Sequence, residues 1–215
     1  MEQEIKAVIF DMNGVLSLDV ELKPGSSLSK SFHNLMAKSL KIDLDKWVDS
    51  IDRVYERSIE GKVSEKKTLN TIAKNLGMEP KKIERIIVKN YKKTFKNNKE
   101  LYTYAFKLKK RGYKIAILSD QWHFSKKALL DKKKADKFDA VIVSCDVGIR
   151  KPDPKIYNLA LKKLKVKPSE AVFIDNRDWN TKPAEKLGIK TILFKNNEQT
   201  FRELEKILKD SRNIK

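Results

Sequence analysis

Asp11 stands at the abrupt end of an apolar run, Lys6-Ala7-Val8-Ile9-Phe10, and is followed by Met12-Asn13-Gly14-Val15. Other polar clusters stand in the same relation to short apolar runs. Ser119-Asp120 follows residues 114–118, Arg150-Lys151-Pro152-Asp153-Pro154 lies downstream of 141–144, and Asp175-Asn176-Arg177-Asp178 follows Val172-Phe173-Ile174. Brought together, they would supply a carboxylate able to attack phosphorus and form an aspartyl-phosphate. A hydroxyl and an ammonium group would neutralise the transferring oxygens. Acidic groups would hold Mg²⁺, a hard cation that takes oxygen ligands and retains waters. Asn13 is the unexpected member, because an amide cannot act as a general acid or base near neutral pH.

Whether these groups meet depends on the elements that carry them. Each apolar run is too short for a buried helix and reads as an interior parallel strand. Its polar end then lies at the carboxyl rim, where open α/β sheets bind ligands. From about residue 98 the chain alternates. Helices are predicted over 100–111, 124–136, 154–165, 183–187 and 200–209, with strands over 114–119, 140–144, 171–175 and 191–194. Such alternation implies a parallel sheet with helices on both faces, and right-handed crossovers place every strand's carboxyl end on one rim.

Between about residues 27 and 95 the apolar spacing is helical instead. One face carries Phe32, Leu35, Met36 and Leu40, and a second Trp47, Val48, Ile51, Val54, Tyr55 and Ile59. A third carries Leu69, Ile72, Ala73 and Leu76, and a fourth Ile83, Ile86, Ile87 and Tyr91. The expected architecture is an α/β, Rossmann-like core over 1–16 and 98–215, with a helical cap over 17–97 inserted after the first strand.

The 215-residue chain can bury a sizeable core. It has 40% hydrophobic and 36% charged residues and no apolar run near membrane length. Residues 1–6 lack the basic and apolar regions of a signal peptide. The single cysteine, Cys145, excludes an internal disulfide framework. These features predict a cytoplasmic protein with no membrane partner. The net charge of +19 raises the possibility of nucleic acid. Yet the excess is mostly lysine spread along the chain, without the clustered arginine or interleaved aromatics of base and phosphate readers. Its densest stretch, Lys126-Lys127 to Lys132-Lys133-Lys134, reads as a solvated helix face. Small anionic substrates, rather than nucleic acid, are the expected partners of this positive field.

In order, the segments resemble the motifs of the haloacid dehalogenase superfamily, in the subgroup with a helical cap after the first motif. Asp11-Met12-Asn13-Gly14-Val15 resembles the first motif, usually Asp-x-Asp-Gly, and Ile117-Leu118-Ser119 the second. Gly148-Ile149-Arg150-Lys151-Pro152-Asp153-Pro154-Lys155-Ile156-Tyr157 resembles the third, and Phe173-Ile174-Asp175-Asn176 the fourth. The Asn180 region and Gly188 continue in the family's manner.

The resemblance implies a Mg²⁺-dependent phosphatase acting on a small phosphorylated metabolite. Asp11 would be its nucleophile, Ser119 would bind a phosphate oxygen and Lys151 would balance charge. Asn13 occupies the acid/base position, and its main-chain carbonyl would join Asp11 and one of Asp175, Asn176 or Asp178 as metal ligands. Gly14, Asp120, Trp122 and His123 are the expected substrate contacts, and the cap and the loop Lys23-Pro24-Gly25-Ser26-Ser27 would set specificity. Three alternatives stay open: a catalytically weakened binding or regulatory protein, a 2-haloacid dehalogenase, and, on charge alone, a nucleic-acid binder. The family's dehalogenases usually carry an aromatic residue where Asn13 stands.

Overall fold

A computed structural model describes residues 3–20 and 28–212, so the 23–27 loop lies outside it. β1 (Ala7–Phe10) is followed by β2 (Ser17–Asp19) and four helices, α1 (Leu28–Leu40), α2 (Leu44–Ile59), α3 (Glu65–Leu76) and α4 (Pro80–Thr94). Next come β3 (Phe95–Asn97), α5 (Lys99–Lys110), β4 (Lys114–Ser119), α6 (His123–Leu129), α7 (Lys132–Ala135) and β5 (Ala140–Val143). The chain continues through α8 (Ser144–Val147), α9 (Pro154–Leu164), β6 (Ala171–Asp175), α10 (Asp178–Lys186), β7 (Lys190–Leu193) and α11 (Asn197–Arg212). No helix among the described residues is long and apolar enough to cross a membrane.

β5, β4, β1, β6 and β7 lie side by side in that order, and every pairing is parallel. The first strand is therefore central. The chain builds outward through β4 and β5, then crosses back to β6 and β7, which makes β1 the switch point of the sheet. Ligands bind at such points, beyond the strands' carboxyl ends. Side chains alternate across the sheet. Val8 and Phe10 face one core with Leu101, Leu108, Leu204 and Leu208 of α5 and α11. Ala7 and Ile9 face the other, with Tyr157 and Leu161 of α9 and Ala184 of α10. Both faces are covered, which is why β1 is apolar at every position.

The insertion is joined to the sheet by a short antiparallel ribbon. β2 pairs with β3, Ser17 opposite Asn97 and Asp19 opposite Phe95. Asn98 secures this root, its Nδ2 donating to the Val15 carbonyl (3.0 Å) and its Oδ1 capping α5 at Leu101 N (3.3 Å). Within the insertion, the Ser64 hydroxyl caps α3, and Gly77 closes that helix in the left-handed region, at φ 63°. Glu79 caps α4, and Pro80 takes its first position. Trp47 is buried and donates its indole N–H to His33 Nδ1 (2.8 Å), so His33 is a packing residue.

The apolar core of the insertion continues into the rest of the chain. Phe32, Trp47, Ile72, Ile87 and Tyr91 share one cluster with Trp122, Phe124 and Leu129, the last two from α6. Trp122 donates its indole N–H to the Tyr91 hydroxyl (2.8 Å) and packs edge-on against Tyr55, centroids 5.1 Å apart. Removing a buried indole costs about 3–5 kcal/mol. Trp122→Ala is therefore expected to lower the denaturation midpoint by an amount worth that much. A shift below about 1 kcal/mol would mean that this seam contributes little.

Two helices differ from expectation, and three short elements are additional. The helix anticipated over 124–136 is two, because the chain leaves helical geometry at Leu130 and Asp131 restarts it by capping Lys134 N. The helix anticipated at 183–187 begins at Asp178, with Pro183 inside it. The β2–β3 ribbon and α8 were not anticipated.

Candidate active site

The strand order brings three polar strand ends together. Asp11 follows β1, between Ser119 at the end of β4 and Asp175 at the end of β6. The Asp11 main-chain N–H donates to the Ile174 carbonyl (2.9 Å), which extends the β1–β6 register to the carboxyl rim. Lys151 comes from the loop before α9 and is buried, at 3% exposure. Its ammonium group lies 2.9 Å from Asp11 Oδ1 and 2.6 Å from Asp175 Oδ2. The Asp120 carboxylate accepts the Lys151 main-chain N–H (3.0 Å) and so fixes the loop that delivers the ammonium.

A buried ammonium between two buried carboxylates persists because each charge has a partner. Burial pushes Asp11 up to about 6; Lys151 opposes that shift and Asp175 adds to it. Burial also opposes the Lys151 charge, but Asp11, Asp175 and Asp120 together hold this ammonium above its ordinary value. Burial raises Asp120 as well, against the attraction of Lys151. Asp175 is anchored twice more, by Asn180 Nδ2 (3.0 Å) and by the Arg177 main-chain N–H (2.8 Å).

After Asp11 the backbone turns tightly. Gly14 N–H donates to the Ser17 carbonyl (2.7 Å), and Gly14 adopts φ 86°, a region that favours glycine. A Cβ added there would overlap the Asn176 amide. Asn13 Oδ1 and Asn176 Oδ1 are both buried without a hydrogen-bond partner. Such orphan acceptors call for an explanation. They are hard neutral oxygens beside a carboxylate, a donor set that suits Mg²⁺. Among the described residues no group of three His, Cys, Asp or Glu side chains could hold a metal. The residues that could hold Mg²⁺ here are the ones the motif resemblance implies, Asp11, the residue-13 main-chain oxygen and Asp175 or Asn176, and of these the Asn176 amide oxygen is an orphaned acceptor.

Ser119 is fully buried and accepts from Gln121 Nε2 (3.2 Å). Gln121 was not anticipated. Its main chain is tied to Ser144 Oγ (3.0 Å) and its Oε1 is buried and unpartnered. Asn180, noted only as a continuation of the fourth segment, is a direct partner of Asp175. Neither had a period or spacing to mark it.

The structure gives three expected site residues other partners. Asp178 is the first residue of α10 and pairs with Lys182 Nζ (2.6 Å), one helical turn along the surface, which holds its carboxyl below the usual range. It stands as a helix-surface group rather than a metal ligand. Trp122 is 1% exposed and engaged with Tyr91, which corrects its reading as a substrate contact. His123 Nε2 lies 2.8 Å from the Val63 carbonyl, tying α6 to the turn after α2. Gly61 of that turn packs on the Cys145 backbone, where an added Cβ would come within 2.8 Å of the carbonyl oxygen. Burial and the adjacent Asp146 push the Cys145 thiol up to about 12, so it is no nucleophile.

A family model of haloacid dehalogenase-like hydrolases matches residues 5–188. The chain belongs to the haloacid dehalogenase-like hydrolases. Mouse bifunctional epoxide hydrolase 2 is 40% identical over 121 residues, 51% of this chain but only 21% of the relative's length. The chain thus matches about a fifth of that longer protein. Haloacid dehalogenase-like relatives of both chemistries occur. (S)-2-haloacid dehalogenase 4A of Burkholderia cepacia is 41% identical over 90 residues, 40% of this chain and 38% of its own. Glyceraldehyde 3-phosphate phosphatase of Pyrococcus furiosus is 38% identical over 95 residues, 41% of this chain and 38% of its own. A solved HAD-family enzyme of Bacteroides thetaiotaomicron, in complex with magnesium and inorganic phosphate, superposes with TM-score 0.66 at 20% identity. That superposition covers 89% of this chain and 94% of the other, and shows the shared fold.

Proposed function

We propose that this hydrolase cleaves small phosphate monoesters, with the Asp11 carboxylate as nucleophile. The observation that carries the reading is the Lys151 ammonium, buried within hydrogen-bond distance of both Asp11 and Asp175, with the buried Ser119 hydroxyl at the end of the adjacent strand. An Asp11 oxygen forms a bond to phosphorus, and the phosphorus–ester oxygen bond breaks with its electrons leaving on that oxygen. Lys151 and the Ser119 hydroxyl oppose the charge on the phosphoryl oxygens. Asn13 has no proton for the leaving oxygen, so that proton comes from solvent. Water then cleaves the aspartyl-phosphate and frees Asp11. Mg²⁺, when bound, draws charge from the phosphoryl oxygens.

Only ionised Asp11 attacks. Because its ionisation is raised to about 6, kcat/KM is expected to fall as pH drops through that value and to level off above it. A profile flat down to the ordinary carboxylate range would contradict a buried nucleophile.

One observation favours a second reading. Amides stand at positions 13 and 176, and no three-acid metal cluster is present among the described residues. Halide displacement from a 2-haloacid by Asp11 would need neither metal nor a second acid. Parallel assays decide between the two. Phosphate release from a panel of phosphorylated metabolites, stimulated by Mg²⁺, supports the phosphatase. Halide release from 2-chloropropionate without Mg²⁺, and no phosphate release, overturns it.

A further inference from the structure

Among the described residues, the Gln121 side chain has one hydrogen-bond partner, the Ser119 hydroxyl. Its Nε2 donates to Ser119 Oγ (3.2 Å), while its Oε1 is buried and unpartnered. The residue is 1% exposed. Its backbone is clamped by Ser144, the first residue of α8. The Ser144 hydroxyl accepts the Gln121 main-chain N–H (3.0 Å) and donates to the Gln121 carbonyl (3.3 Å). The next residue, Trp122, is buried and held by the Tyr91 hydroxyl (2.8 Å). The amide therefore reaches Ser119 from a fixed base.

A hydroxyl offers one proton and two lone pairs. The Gln121 amide takes one lone pair of Ser119, and among the described residues the hydroxyl proton goes to no protein acceptor. Ser119 is fully buried at the end of β4. The carbonyl before it, that of Leu118, lies 3.4 Å from Lys151 Nζ, which places the serine beside the Asp11–Lys151–Asp175 group. What remains on that hydroxyl is a donor next to a cation, the pairing that an anion oxygen takes. The reverse orientation of the amide would consume the Ser119 proton and leave the Gln121 N–H donors buried without acceptors, which is the rarer fault.

We propose that Gln121 is a positioning residue: by donating to Ser119 Oγ, it turns the serine proton toward the phosphoryl oxygen that the site binds. The proposal rests on the phosphate-monoester reading of Asp11 and deepens it, because it names the group that makes Ser119 a donor to the anion. Gln121 acts through Ser119 and does not itself touch the substrate.

A double-substitution cycle on the binding of inorganic phosphate, read by calorimetry, tests this apart from turnover. Gln121→Met keeps the length of the side chain and removes its donor. It is expected to weaken phosphate binding at least about threefold, and Ser119→Ala about tenfold, the scale of a hydrogen bond to a charged group. In the Ser119→Ala background, Gln121→Met should cost nothing further, because the group it orients is gone. The kcat/KM for nitrophenyl phosphate should follow the same pattern. Ser144→Ala, which frees the Gln121 backbone, is expected to lose a smaller factor that also vanishes in the Ser119→Ala background. It carries the test if circular dichroism shows Gln121→Met unfolded. Equal losses in both backgrounds would mean a packing role and would overturn the proposal. So would unchanged binding, or tighter binding, the sign expected if the amide accepts the Ser119 proton. Those results leave the monoester reading standing as long as wild type releases phosphate. A wild type that neither binds phosphate nor hydrolyses any monoester would overturn that reading and the proposal with it.

Discussion

Asp11→Asn is expected to lower phosphomonoester turnover on the order of 10⁴-fold or more, the scale of loss when a covalent nucleophile is removed. The substitution keeps the shape of the side chain and removes its charge and nucleophilicity. Lys151 retains Asp175 as a partner at 2.6 Å, so the buried ammonium is not left alone and the fold should persist. Unchanged circular dichroism with lost phosphate release is the expected pair of results. If the variant kept a tenth of wild-type activity or more, attack would have to come from elsewhere, and the strand-end cluster would be a structural ion pair.

Asn13→Asp is expected to raise turnover by at least roughly tenfold, since a positioned acid or base is worth about 10²–10⁴-fold. The Asn13 side-chain oxygen is already buried without a hydrogen-bond partner, two residues along the chain from Asp11. A carboxyl oxygen at that buried position would be desolvated, which favours a raised pKa. The gain should be large for alkyl phosphates, whose leaving oxygen needs a proton, and small for nitrophenyl phosphate. Spontaneous conversion should not blur the comparison. Asn-Gly pairs deamidate when the glycine nitrogen attacks the amide, but the Gly14 N–H is held by the Ser17 carbonyl at 2.7 Å. Intact mass of aged wild type is therefore expected to stay constant. If Asn13→Asp were no faster on any substrate, Asp120, half-buried and raised in pKa, would be the next proton source to test.

The sheet was legible because each interior strand carries an apolar run stopped by one polar residue, and that stop is the site. The run of helices α1–α4 was legible because the apolar spacing changes at both ends of it. The β2–β3 ribbon was not, since Ser17-Leu18-Asp19 and Phe95-Lys96-Asn97 have no internal pattern and pair only through distant closure. At the fourth segment, sequence distance misled. Asp178 lies nearer to Asp175 in sequence than Asn180 does, yet α10 begins at Asp178 and turns it outward to Lys182, while Asn180 returns to Asp175. Trp122 and His123 follow Ser119 closely enough to overhang a ligand. What the sequence does not carry is that helix α4 and the turn after α2 come down on that stretch, where Tyr91 and the Val63 carbonyl claim both side chains.

The central claim is that Asp11 becomes phosphorylated, and a quenched-flow mass measurement tests it most directly. Wild type mixed with nitrophenyl phosphate and Mg²⁺, then acid-quenched, should carry one phosphoryl group, mapped to the peptide containing Asp11. It should accumulate because water attack lacks a general base at Asn13. The adduct should be absent from Asp11→Asn. Phosphate release with no adduct at any time, or an adduct on another residue, would contradict Asp11 as the nucleophile.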